Sequence, residues 1–116
     1  MIIIEGTVRI PPENLERARP VMEQMIRASR AEPGCIDYAY SVDVLDPGLV
    51  RISERWTSRE ALQAHFATAH MATWRAFFPQ LGITDRSLRL YEAEPEPICV
   101  SSEASAHEED PSPPAW

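Results

Sequence analysis

The sequence predicts an α+β fold: a ferredoxin-like β-α-β-β-α-β chain with an antiparallel sheet. Three observations carry this. Apolar residues alternate at period two over residues 2–10, 35–44, 49–56 and 87–93. Helical stripes fall between the first and second of these stretches and between the third and fourth. Asp46-Pro47-Gly48 turns the second stretch directly into the third, a hairpin signal. Such helices cover one sheet face only. The other face is expected to find a partner, and a two-fold homodimer is the simplest solution.

Taken in order, Ile2, Ile4, Gly6, Val8 and Ile10 share one strand face. Gly6 has no side chain to pack, so it marks either a bulge or the close approach of a backbone or ligand. The start at Met1 lacks a basic region and a cleavage site, and reads as a strand rather than a signal peptide. Pro11 and Pro12 end the strand. A helix follows from about Asn14, with Leu15, Ala18, Val21, Met22, Met25 and Ile26 on one stripe. Pro20 conflicts with that helix, predicting a kink or a regular part that begins near Arg19. Glu32-Pro33-Gly34 is a stop. The strand at 35–44 puts Ile36, Tyr38, Tyr40, Val42 and Val44 on one face, where the tyrosines either pack a core or line a pocket.

The stretch from Leu49 to Phe78 holds two of the three histidines and two of the three tryptophans. Val50, Ile52, Glu54 and Trp56 share a strand face. Glu54 is the one carboxylate on it, and is paired, facing water, or functional. Thr57 or Ser58 caps a helix containing Leu62, His65 and Phe66; Thr68 caps a second segment through Met71, Trp74 and Phe78, which Pro79 helps to stop. His65 and His70 are five residues apart. On a continuous helix that is about 140°, wrong for an i, i+4 zinc pair. With no cysteine or nearby carboxylate to complete a ligand set, no metal is expected.

A chain of 116 residues bounds the answer to one core. No apolar run approaches the roughly 18 residues of a membrane helix. Cys35 and Cys99 have no framework spacing and read as free thiols of a reducing compartment, the cytoplasm. The net charge of −7 belongs to the end of the chain: residues 1–91 hold 11 acids and 11 arginines, and residues 92–116 hold seven acids and no base. The body has no basic surplus, which argues against nucleic acid as a partner. We therefore divide the chain into a domain over 1–94 and an acidic, proline-rich tail over 95–116, too polar to form a core. Within the tail, Pro97–Ser101 is expected to add a short strand to the sheet edge of a partner subunit or to cross its surface, with the acidic remainder either mobile or lying against arginines such as Arg9 or Arg51.

Several of these residues together carry a family signature. Glu-Pro-Gly-Cys at 32–35, then Tyr38 and Asp43, Glu54-Arg55-Trp56, Ala64-His65-Phe66 and Thr68-Ala69-His70-Met71 resemble the antibiotic biosynthesis monooxygenase family, with Ala69 where the family often has proline. The resemblance covers about residues 2–93. It implies a dimeric α+β barrel with a pocket between sheet and helices in each subunit. The heme-degrading branch uses an asparagine, a tryptophan and a histidine at positions that Gly6, His65 and Arg75 occupy here, so heme degradation is disfavoured. The quinol-oxygenase-like branch fits better. What it implies is a cofactor-free reaction of dioxygen with a small phenolic, quinol or polyketide-like aromatic substrate. In it His65 or His70 acts as base, Glu54 as an orienting carboxylate, and Trp56, Tyr38, Phe66 and Trp74 form the pocket walls. A non-catalytic small-molecule-binding dimer of the same fold is the alternative.

Overall fold

The computed structural model describes residues 1–98. In chain order the elements are β1 (Ile2–Arg9), α1 (Leu15–Arg30), β2 (Cys35–Val42), β3 (Leu49–Trp56), α2 (Arg59–Phe66), α3 (Ala69–Leu81) and β4 (Thr84–Glu92). The strands form one antiparallel sheet in the order β2-β3-β1-β4, the ferredoxin-like α+β arrangement. All but the first two residues of the expected Pro97–Ser101 strand, and the acidic remainder of the tail, lie outside the described residues. Arg9 and Arg51, the expected docking points of that remainder, are instead paired within the body. Arg9 meets Asp46 at 2.8 Å and Arg51 meets Asp43 at 3.1 Å. Among the described residues no helix is long and apolar enough to cross a membrane.

The core follows the alternation. Ile2, Ile4 and Val8 of β1 face the helices beside Trp56, Glu54 and Val50 of β3, their register partners. Ala18, Met22 and Met25 of α1 and Met71, Trp74 and Leu81 of α3 close over them. The opposite sheet face is left open. Its rows pair Ile3 with Arg55 and Thr7 with Arg51, so it is more charged than a face of apolar and small residues would be. Strand β4 lies at the sheet edge and is exposed along nearly its whole length, because the helices stop short of it.

Local chemistry explains the element ends. Ser58 caps α2 by accepting the Ala61 N–H at 3.1 Å, and Thr68 caps α3 by accepting that of Met71 at 3.3 Å. The helix therefore breaks and restarts at residues 67–68. Proline proves tolerable twice. Pro20 lies exposed inside an α1 that runs unbroken from Leu15, and α3 continues past Pro79 to Leu81, ending at Gly82 with φ 70°. β2 ends at Val42, short of the expected Val44, because the Asp43 carboxylate captures the Leu45 N–H at 3.0 Å and turns the chain. β4 begins at Thr84, earlier than the alternation suggested. Asp85 there has φ 54°, and the register with β1 slips between Thr7 and Arg9.

Gly6 is resolved by the same strand. A Cβ on Gly6 would collide with the Ser87 carbonyl oxygen and lie 2.7 Å from the Leu88 Cα. Both obstacles are backbone, so β4 would have to move. Gly6→Ala is therefore expected to destabilise the fold by about 1–3 kcal/mol, the usual cost of overpacking. Urea denaturation of the variant checks this.

Candidate functional site

A cavity of about 270 Å³ lies between the sheet and α2 and α3, and opens toward the uncovered edge at β4. Tyr38 and Tyr40 of β2, Glu54 of β3, Phe66 of α2, and Met71, Trp74 and Phe78 of α3 contribute to its wall, with Leu88 and Leu90 from β4. The volume is at the low end for ligand sites and suits a molecule of one or two rings. The walls are largely apolar, with aromatic side chains among them. Trp74 meets Tyr40 at 5.9 Å between ring centres and Phe78 edge-on at 5.2 Å.

Glu54 is the unusual group in this wall. Strand alternation points it at the helices from the middle of the sheet, with Ile4 on one side and Tyr38 on the other. It is 5% exposed. Trp56, two residues on and therefore on the same face, donates its indole N–H to Glu54 Oε1 at 3.0 Å. Burial holds the Glu54 carboxyl above its ordinary range, and the Trp56 hydrogen bond partly offsets this. The Tyr38 and Tyr40 hydroxyls lie 3.3 Å apart. Burial pushes Tyr40 up to about 12 and Tyr38 higher still, so both remain protonated hydrogen-bond donors at neutral pH. The site thus combines one carboxyl group held above its ordinary range, two phenol hydroxyls and a slot lined mainly by apolar side chains.

The two histidines form a second cluster. Glu32, just past the end of α1, places Oε2 at 2.7 Å from His65 Nδ1 and at 2.7 Å from His70 Nε2. This corrects the expectation that no carboxylate accompanies them. The helical-wheel argument fails for a related reason: His65 sits in the last turn of α2 and His70 in the first turn of α3, on opposite sides of the break. The three donor atoms lie within 4.8 Å of one another, a two-histidine, one-carboxylate set. Two ring nitrogens hydrogen-bonded to one oxygen, with the imidazole centres 6.0 Å apart, account for the arrangement without an ion. The Glu32 carboxylate fixes the Nδ1–H tautomer of His65. The opposite nitrogen, Nε2, is fully buried and has no partner among the described residues. His65 packs on Trp56 at 4.7 Å and on Tyr38 at 5.3 Å between ring centres.

Of the residues singled out from the sequence, Tyr38, Glu54, Phe66 and Trp74 line the cavity; Trp56, His65 and His70 do not. Trp56 and His65 stand behind the wall, buried, and touch it through Glu54 and Tyr38. Glu32, Phe78 and Arg86 were not singled out as site residues, and Tyr40, left open between core and pocket, lines the cavity. The signal for Tyr40 is the strand face it shares with Tyr38. Glu32 gives none, because its motif reads as a helix stop.

The buried cluster has a thermodynamic consequence. Burial, the largest influence on His65, lowers its affinity for a proton, against the opposing pull of Glu32. The unfolded chain, with histidine near 6.5, then binds the proton more tightly than the native state. The contribution of His65 is therefore complete above about pH 6.5 and is lost as pH falls below it. Urea midpoints measured from pH 7.5 downward are expected to drop through that range. Glu32→Ala leaves a buried ring N–H without its acceptor and is expected to cost about 1–3 kcal/mol at pH 7.5.

Comparison with known proteins gives the family and the fold. The profile of the antibiotic biosynthesis monooxygenase family matches residues 1–76. Protein sll1783 of Synechocystis is 28% identical over 91 residues, 78% of this chain, and the match spans 62% of that protein. YcnE of Bacillus subtilis is 27% identical over 70 residues, 60% of this chain and 74% of YcnE. A solved structure from Deinococcus radiodurans superimposes with a TM-score of 0.79 at 28% identity, covering 87% of this chain and all of that one. With its fold and most of its body matched in this way, the chain belongs to the antibiotic biosynthesis monooxygenase family.

Proposed function

We propose that the protein is a cofactor-free monooxygenase that binds a small phenol or hydroquinone in the aromatic cavity and uses Glu54 to take the phenolic proton. The observation that carries this is the buried Glu54 carboxyl, the one carboxylate of a mainly apolar wall, with one oxygen held by the Trp56 indole. A carboxyl raised toward neutrality is a better matched base than an exposed one. The Tyr40 hydroxyl orients the ring oxygens, and Trp74 and Phe78 hold the ring plane. Deprotonation makes the ring electron-rich enough to give an electron to dioxygen, and the apolar slot shields the anion from water. For a hydroquinone, one oxygen atom enters a ring C–H position, the O–O bond breaks, and the second oxygen leaves as water. The product is the hydroxyquinone, and the substrate itself supplies both electrons. In this scheme Glu32, His65 and His70 act from behind the wall by fixing Trp56 and Tyr38.

Oxygen uptake with a panel of hydroquinones and anthrones tests the proposal. Turnover is expected in the wild type, rising with pH as Glu54 ionises above 4.5. Glu54→Gln is expected to lower kcat by about 10²–10⁴-fold, the usual contribution of a general base. Loss of turnover in His65→Ala with Glu54→Gln active would assign the base to histidine instead. Tight binding of these ligands with no oxygen uptake by the wild type would favour the binding-dimer reading.

We also propose that the open sheet face pairs with a second copy of the chain, since helices cover the other face only and its rows carry Ile3, Thr7, Ala39 and Ser53 between the charges. Light scattering at micromolar concentration is expected to give twice the chain mass of 13.1 kDa. A monomeric mass would refute it.

A further inference from the structure

The cavity has two chemically different ends. Glu54 and the tyrosines sit inside it, and three arginines, Arg59, Arg86 and Arg89, reach its wall near the β4 edge. They are not equivalent. Arg59 is already neutralised by Glu92 at 2.6 Å. Arg89 pairs in register with Glu5, which belongs to the open face of the sheet. Arg86 alternates with Leu88, whose register partner Gly6 belongs to the helix face. Its guanidinium carbon lies 5.1 Å from the centre of the Phe78 ring, which is itself in the cavity wall. No carboxylate among the described residues is within ion-pair distance of Arg86. Arg86 is thus a cation held in place by a wall aromatic, facing the slot, with its charge unspent.

We propose that Arg86 recognises an anionic substituent, so that the substrate is an aromatic ring carrying a hydroxyl for the Glu54 end and a carboxylate for the β4 end. This rests on the reading of the cavity given above and adds the substrate's charge to it. A planar guanidinium presents two parallel N–H donors to a carboxylate, a pairing stronger than a neutral hydrogen bond. Stacking on Phe78 fixes the plane in advance, which lowers the ordering cost of that pairing. The positive charge of Arg86 is felt inside the slot, where it favours the ionised forms of both Glu54 and Tyr40.

The test uses two ligands that differ only in charge, homogentisate and its methyl ester. Their affinities for the full chain are read by calorimetry. In the wild type the acid is expected to bind about tenfold more tightly than the ester, as a charge-assisted bond implies. Arg86→Met keeps an unbranched apolar stem over Phe78 and is expected to bring the two affinities within about twofold while leaving that of the ester unchanged. Arg27→Met, the same charge change on an exposed part of α1, is expected to keep the preference. Should Arg86→Met not fold, the wild-type preference measured between 50 and 500 mM salt stands in for it, and is expected to shrink. Equal affinities in the wild type, a preference that survives Arg86→Met, or one indifferent to salt overturns the proposal. Turnover of the ester with no preference for the acid refutes this inference alone. Failure to bind either ligand at millimolar concentration refutes the cavity reading with it.

Discussion

One carboxylate oxygen holds the helical layer together. Glu32 Oε2 accepts from His65 and His70 at once, so the end of α1, the end of α2 and the start of α3 meet at a single atom. The break between α2 and α3 follows from this. A continuous helix would carry the two imidazoles to different sides, and only a break lets both reach Glu32. Thr68 secures the break by capping α3 and by donating its hydroxyl to the His65 carbonyl at 2.7 Å. With His65 fixed, Trp56 and Tyr38 pack against its two sides, and Trp56 in turn holds Glu54. The cavity wall is therefore built on a hydrogen bond that lies outside the cavity.

The cavity itself exists because the helices do not cover the whole sheet. α3 packs across α1 and reaches β2 through Trp74 on Tyr40, while most of β4 stays exposed. Gly6 allows β4 to approach β1 closely enough for Leu88 to join the wall. The sheet edge then becomes the mouth, lined by Leu90 and Phe66, both about two-fifths exposed. Apolar side chains at that exposure lose little when a flat ligand covers them and gain by being removed from water.

What the sequence revealed is what repeats. Period two placed Glu54 and Trp56 on one face of β3, and turn and cap residues marked the hairpin, Ser58 and Thr68. These are local signals, and the structure keeps them. What it hid was relation across distance. Glu32 is 33 and 38 residues from its two histidines, and a Glu-Pro-Gly stop carries no sign of them. Arg86 lies one residue before the stretch that alternation marked as the last strand, so it was assigned no face. The histidines were read against a continuous helix, and the same five-residue spacing means something else across a cap.

The two buried ionisable groups pull stability in opposite directions with pH. Glu54 binds its proton more tightly in the folded state than in the unfolded one, so its contribution is present below 4.5 and is lost as pH rises through its folded value. His65 binds its proton less tightly when folded, so its contribution is present above about 6.5 and is lost below. Above about pH 6.5 the contribution of His65 is therefore at full strength, while that of Glu54 weakens as pH rises above 4.5. The proposed chemistry needs Glu54 as the ionised base, in a wall whose Trp56 and Tyr38 pack on His65. A carboxylate kept for packing alone would be replaced to advantage by an amide side chain, since the Trp56 N–H needs only an oxygen. A carboxylate held against that penalty, in the middle of the sheet and in the cavity wall, is what the proposed reaction requires of this fold.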